Sequence, residues 1–259
     1  MRVLRVALSR GSGATVVGLM LLCAAAVGPA ASPLRADRDP NRAGDGTTRA
    51  QRAGSAHPAP QPAVVPREKW LKGAKHRRAP VRYADPVEAA FIHHTNSPND
   101  YDCADVPGII REVYAAQAGG RHWDDIGYNF LVDRCGTVYE GRAGGTGRAV
   151  VGAHAQGFNH HTVGIAAIGV FTAGVPVPKP MTDAIAAVVA WKLGMSDVDP
   201  RSMVRLVSSN SLSRFPKGTS ARLHAVSGHS DGYSTQCPGA ALAAELPAIR
   251  KAAARLQGR

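Results

Sequence analysis

The chain has 259 residues, 44% of them hydrophobic and 5% aromatic, with a formal charge of +12. That length allows one or two domains. Nearly all of the positive excess lies before residue 79, so the rest of the chain is close to neutral and lacks the basic excess of a nucleic-acid-binding domain.

At the start, Arg2, Arg5 and Arg10 precede the apolar stretch Ala14–Val27, and small residues follow in "GPAAS". This is the layout of a secretory signal peptide over residues 1–36, cut after Ala31 or Ala36. The apolar run is short for a spanning helix, and no other segment is apolar enough to cross a bilayer. The bulky Leu22 before Cys23 argues against a lipidated cysteine. The mature chain is therefore expected to be exported, with no membrane association after cleavage. Residues 37–65 are Pro, Gly, Ala and Arg with almost no large apolar side chains, a composition that predicts a disordered basic linker. Its charge suits anionic wall polymers or an anionic lipid surface, or is simply solvated. The folded domain is expected over residues 66–259.

Within that domain, "VEAAFIHHT" (Val87–Thr95) reads as a buried strand with a polar tip. Ile109, Ile110, Val113 and Tyr114 follow at helical spacing, with Asp105 as N-cap and Gly119 as stop. "IGYNFLVDRCGTVYEGR" reads as two strands joined by a turn at Arg134–Gly136. Thr162–Phe171 is a further apolar strand. Met181–Met195 is a helix, capped by Thr182 and stopped near Gly194. "GAALAAELPAIRKAAARL" closes the chain as a helix that Pro247 kinks or restarts. Strands interleaved with helices predict an α/β domain with helices packed on a central sheet. Trp70 and Trp191 are assigned to packing, and His160 and His161 to the surface. His57, His76, His122 and His224 carry no signal.

Of four cysteines, Cys23 leaves with the signal peptide. An exported chain favours disulfides, and the remaining three are an odd number. Cys103 and Cys135 are a candidate pair, tying a loop to a turn. Cys237, in "SGHSDGYSTQCPG", is left as a nucleophile, a metal ligand or a structural thiol. Zinc takes Cys sulfur and His nitrogen, and a catalytic site keeps three protein ligands and one open position. His229 and Cys237 supply two such groups across a loop. The doublet His93–His94, at the C-terminal tip of a buried strand, supplies a third, and strand alternation allows only one of the two to ligate. A Cys–His nucleophile pair lacks an obvious orienting group. From residue chemistry alone, all three fates of Cys237 stay open.

Taken together, "FIHHTNS", "DIGYNFLVD", "GTVYEGR", "GAHAQGFNHHTVGIAAIG" and "SGHSDGYSTQCPG" stand in the same order as the motifs of a known family. From about Arg67 to the C-terminus the chain resembles the peptidoglycan recognition proteins and type 2 N-acetylmuramoyl-L-alanine amidases, and in particular their actinobacterial secreted branch. The resemblance implies a single α/β domain with a central mixed sheet flanked by helices. It implies a zinc ion held by His93, His229 and Cys237, with Tyr128 and Thr235 as catalytic residues. It matches His154 and Asn159 to positions that line the ligand groove, and places Cys103 and Cys135 at positions expected to pair. Three neighbours are further candidates to contact substrate: His94, which otherwise supports the metal ligands, Asn129 beside Tyr128, which otherwise sits below the strand, and Arg142, which meets a stem-peptide carboxylate or forms a turn salt bridge. The reaction implied is hydrolysis of the amide between N-acetylmuramic acid and the L-alanine of the peptidoglycan stem peptide. The chain is expected to be secreted, cell-wall-associated and monomeric. Members that only bind their ligand commonly replace the Cys that Cys237 matches. A recognition module without catalysis is therefore the main alternative, and a metal-free Cys–His hydrolase a third. Two departures stand out. The family's "GHRD" reads "GHSD" here, with Ser230 in place of Arg, and "REKWLKGA" has two extra residues before its Gly-Ala.

Overall fold

The computed structural model describes residues 55–71, 80–121 and 123–259. The expected signal peptide and most of the expected linker lie outside the described residues. A six-stranded sheet runs in the order β1–β4–β3–β5–β2–β8. Its strands are β1 (Val64–Val65), β2 (Ala89–His94), β3 (Phe130–Val132), β4 (Val138–Glu140), β5 (Thr162–Ala167) and β8 (Val226–Gly228). β2 lies parallel to both β5 and β8, whereas β3 and β4 form an antiparallel pair, so the sheet is mixed as expected.

β2 and β5 are covered on both faces, which explains why both read as continuous apolar runs. Ala90, Ile92, Val163, Ile165 and Ala167 pack with α3 (Lys179–Gly194) and α5 (Ala240–Leu256). On the opposite face, Leu131, Ala166 and Ile168 pack with Trp70 of α1 (Arg67–Trp70) and with Ile110 and Tyr114 of α2 (Val106–Tyr114). Ala89 and Phe91, also on that face, meet Phe158 and a hairpin of β6 (Met203–Val207) and β7 (Ser220–His224). That hairpin was not foreseen. Its strands alternate exposed and covered residues over only five positions each, too short to stand out from a polar loop.

Several boundaries move for local reasons. Asp105 makes no side-chain cap. Asp102 accepts the Ala104 N–H at 2.9 Å instead and starts a short 3₁₀ turn ahead of α2. After Tyr114 the helix widens into a π-turn over Ala115–Gly120. α3 begins at Lys179, and Thr182 lies inside it, donating its hydroxyl to Lys179 O. α5 runs through Pro247, an exposed position where the carbonyl freed one turn earlier can meet water. Cys103 and Cys135 are bonded, with Cα atoms 6.4 Å apart. Residues 55–65, expected to be linker, carry structure: Val64–Val65 pairs with Val138–Tyr139 at the sheet edge, and His57 Nδ1 lies 2.8 Å from Asp197. The Pro-rich composition hid a strand of two residues.

Arg67 latches the entry segment to the loop before the functional site. Its guanidinium lies 2.6 Å from Asp125 Oδ1, donates to Gly141 O and stacks 4.9 Å over Trp70. Asp125 also accepts the N–H groups of Ile126 and Ala143. Arg67→Ala leaves a buried carboxylate without its cation and is expected to cost about 3–5 kcal/mol. Urea denaturation measures this, and a loss below about 1 kcal/mol would mean that the pair is solvated.

Candidate metal centre

Two adjacent parallel strands deliver two histidines to one end of the sheet. His93 is the fifth residue of β2, and His229 begins α4 (His229–Gly232) directly after β8. The register Ala90↔Val226 and Ile92↔Gly228 sets both at C-terminal strand ends, where open α/β sheets place their sites. Alternation puts His93 on the face of Phe91 and His94 on that of Ile92. Asp231 Oδ2 accepts the Gly228 N–H at 2.9 Å and holds the strand-to-helix turn. Cys237 returns across a short loop, and Ser230 N donates to its carbonyl at 2.9 Å, joining the two segments.

The donor atoms of His93, His229 and Cys237 all lie within 4.8 Å of one another. Cys237 Sγ is 3.8 Å from His93 Nδ1 and accepts the His94 backbone N–H at 3.3 Å. The His93 and His229 rings are 4.5 Å apart. His93 is fully buried and His229 only partly, so the cluster opens outward on one side.

Burial pushes His93 well below the ordinary imidazole range, aided by the charges of His154, His229 and His94. Burial, with His94, lowers His229 to about 4. Both rings are therefore neutral at pH 7 and can offer a lone pair. Burial pushes the Cys237 thiol up to about 12, against the opposing His94 N–H. A sulfur so placed becomes a thiolate when a cation joins it. Two neutral imidazoles and one sulfur, converging at a partly open edge, fit zinc with one position left free.

The Tyr128 ring lies 5.3 Å from His93. Burial, then Cys237, push its phenol up to about 12, against the Gln117 amide and Arg121, so it keeps its proton at neutral pH. Thr235 Oγ1 accepts the Cys237 N–H at 3.2 Å and shapes the ligand loop. His94 is partly exposed, with its Nδ1 3.5 Å from Phe171 N; its backbone, more than its ring, serves Cys237. Arg142 donates to Ile126 O while keeping some exposure. Three other expected substrate contacts turn inward. Asn129 accepts from Gly164 N and donates to Val150 O, and Asn159 Oδ1 accepts the N–H groups of His154 and Ala155. His154 is 5% exposed, with Nδ1 3.1 Å from His93 Nε2. Ser230 borders a surface cleft of about 550 Å³ that Arg214 and Arg222 also line.

Three neighbours were missed from sequence. Tyr233 stacks on His229 at 5.4 Å, and its place four residues on was the available signal. Gln117, buried in the π-turn, accepts the Gly127 N–H at 2.8 Å; nothing in "AAQAGG" marks it. Thr162 Oγ1 lies 3.5 Å from His154 Nε2 and reads in sequence only as a strand residue.

A family model described as N-acetylmuramoyl-L-alanine amidase matches residues 83–240. A peptidoglycan-recognition protein of Drosophila melanogaster is 30% identical over 183 residues, 71% of this chain and 85% of that one. The N-acetylmuramoyl-L-alanine amidase of Homo sapiens is 32% identical over 184 residues, 70% of this chain, and this chain spans 27% of that protein's length. Among solved structures, wild-type Drosophila PGRP-LB aligns with a TM-score of 0.55 at 27% identity, over 71% of this chain and 92% of that one. Peptidoglycan recognition protein LE, in complex with tracheal cytotoxin (monomeric diaminopimelic acid-type peptidoglycan), also gives 0.55 at 27% identity, over 72% and 93%. The chain belongs to the N-acetylmuramoyl-L-alanine amidase family.

Proposed function

We propose that this chain is a zinc-dependent amidase that hydrolyses the bond between N-acetylmuramic acid and the L-alanine of the peptidoglycan stem peptide. The observation that carries the reading is the convergence of His93, His229 and Cys237 within 4.8 Å, at the end of the sheet and beside Tyr128. Zinc held by these three residues supplies Lewis-acid activation of water and of the amide carbonyl at neutral pH.

This chain's own residues do the rest. The hydroxyl of Tyr128, protonated at pH 7, donates to the carbonyl oxygen as negative charge builds there. Oxygen from water bonds to the carbonyl carbon, the C–N bond breaks, and a proton passes to the released alanine nitrogen. Thr235 keeps the Cys237 loop in place, and Tyr233 steadies the His229 ring. His94 and Arg142 retain surface for the substrate, whereas Asn129 and Asn159 brace the walls. Support for a peptidoglycan ligand comes from relatives whose solved complexes hold tracheal cytotoxin. Export by residues 1–36, wall association through the basic stretch that follows and a monomeric state belong to the same reading. Among the described residues no helix is long and apolar enough to cross a membrane.

The test is metal analysis coupled to activity. One zinc per chain, removed by a chelator together with activity on a muramyl peptide and restored with added zinc, is the expected result. Activity that survives complete metal removal would favour a Cys–His hydrolase instead.

A further inference from the structure

We infer that Thr162, acting through His154, fixes the ring proton of His93 on Nε2 and so leaves Nδ1 free to hold the metal; this rests on the metal reading above. A line of buried groups fixes where each proton sits. Thr162 Oγ1 lies 2.5 Å from Phe158 O. A carbonyl only accepts, so the single hydroxyl proton of Thr162 goes there. The same oxygen is 3.5 Å from His154 Nε2 and can only accept from it. His154 Nε2 therefore carries the ring proton, and His154 Nδ1 is bare. That bare nitrogen is 3.1 Å from His93 Nε2, which must then be the N–H. His93 Nδ1 is left with its lone pair, and it is the nitrogen that faces Cys237 Sγ at 3.8 Å.

The opposite arrangement sets two acceptors, Thr162 Oγ1 and His154 Nε2, against each other and puts a proton on the His93 nitrogen that faces the sulfur. Rotating the Thr162 hydroxyl to rescue it gives up the short bond to Phe158 O.

The His154 ring is seated for this task. A Cβ at Gly164 would collide with its Cγ, and one at Gly152 would come within 2.5 Å of its Cδ2, so two glycines make the space the ring fills. Asn159 holds the backbone on either side of the His154 Cα. Thr162 is the first residue of β5, which pairs with β2 along its whole length, so the relay is built into the register of the two central strands. Thr162 and His154 are positioning residues here: they act on the metal only through His93.

Three measurements test this. Long-range ¹H–¹⁵N NMR of the metal-free protein reads the His93 tautomer directly, and a proton on Nε2 is expected. A proton on Nδ1 overturns the inference without any variant. Zinc affinity, by competition with a chromophoric chelator, should fall about 10-fold in Thr162→Val, the low end of the loss on removing a direct outer partner of a ligating histidine, because Thr162 acts one group further out, through His154. Thr162→Ser, which keeps the hydroxyl, should stay within about twofold of wild type. A folded Thr162→Val that binds zinc as wild type does, while wild type binds tightly, sinks the relay alone. A wild-type protein that holds no zinc sinks the metal reading, and the relay's purpose with it.

Discussion

Cys237→Ser is expected to remove zinc from the protein and to lower kcat/KM by on the order of 1000-fold or more. The Lewis-acid contribution of a catalytic metal is several kcal/mol, and each 1.36 kcal/mol is tenfold in rate. Cys237 is the only sulfur in the cluster, and its Sγ is set by the His94 N–H and faced by His93 Nδ1. A serine hydroxyl fills nearly the same space but offers no soft anionic donor, so two histidines alone must hold the ion. The variant should fold, because Cys237 lies in a loop whose backbone is held by Thr235 and Ser230. Metal analysis and kinetics on the same sample decide the matter. A Cys237→Ser protein with full zinc and near-normal rates would remove Cys237 from the site.

Tyr128→Phe should separate the metal from the chemistry. We expect kcat to fall about 100- to 1000-fold, the usual cost of losing one oxyanion donor, with zinc affinity and KM nearly unchanged. The ring sits beside His93 and its phenol is held protonated, so the hydroxyl is a donor throughout neutral pH. Removing the oxygen keeps the ring and its packing. A variant with unchanged kcat would leave Tyr128 a wall of the site only. A variant that loses zinc would make it a support for the ligands.

How much of this was legible in the sequence depends on distance along the chain. The long apolar runs of β2, β5 and α3 announced themselves because their residues are buried on both sides or over many turns. The β6–β7 hairpin did not, since half of each short strand faces outward. His229 and Cys237 were found as residue types that suit a metal, the doublet His93–His94 offered the third ligand, and motif order chose His93 from it. The structure supplies what spacing alone does not: 144 positions separate His93 from Cys237, and parallel pairing of β2 with β8, followed by the loop that Ser230 N ties to the Cys237 carbonyl, brings them together. His154 and Asn159 were expected in the groove because the resemblance matches them to groove positions of the family. The fold turns their polar atoms inward, onto His93 and onto backbone N–H groups. Thr162 carried no signal, because its role lies in the direction of one hydroxyl proton, which only the surrounding acceptors define.

The bond that is cut shows in the products. Purified peptidoglycan would be digested with the zinc-loaded mature chain, with and without a chelator, and the soluble products read by mass spectrometry. Stem peptides that begin with a free L-alanine amino group, absent when the chelator is present, are the predicted result. Wall material that is bound tightly by fully zinc-loaded protein yet releases no such peptides would contradict it and make the chain a recognition module.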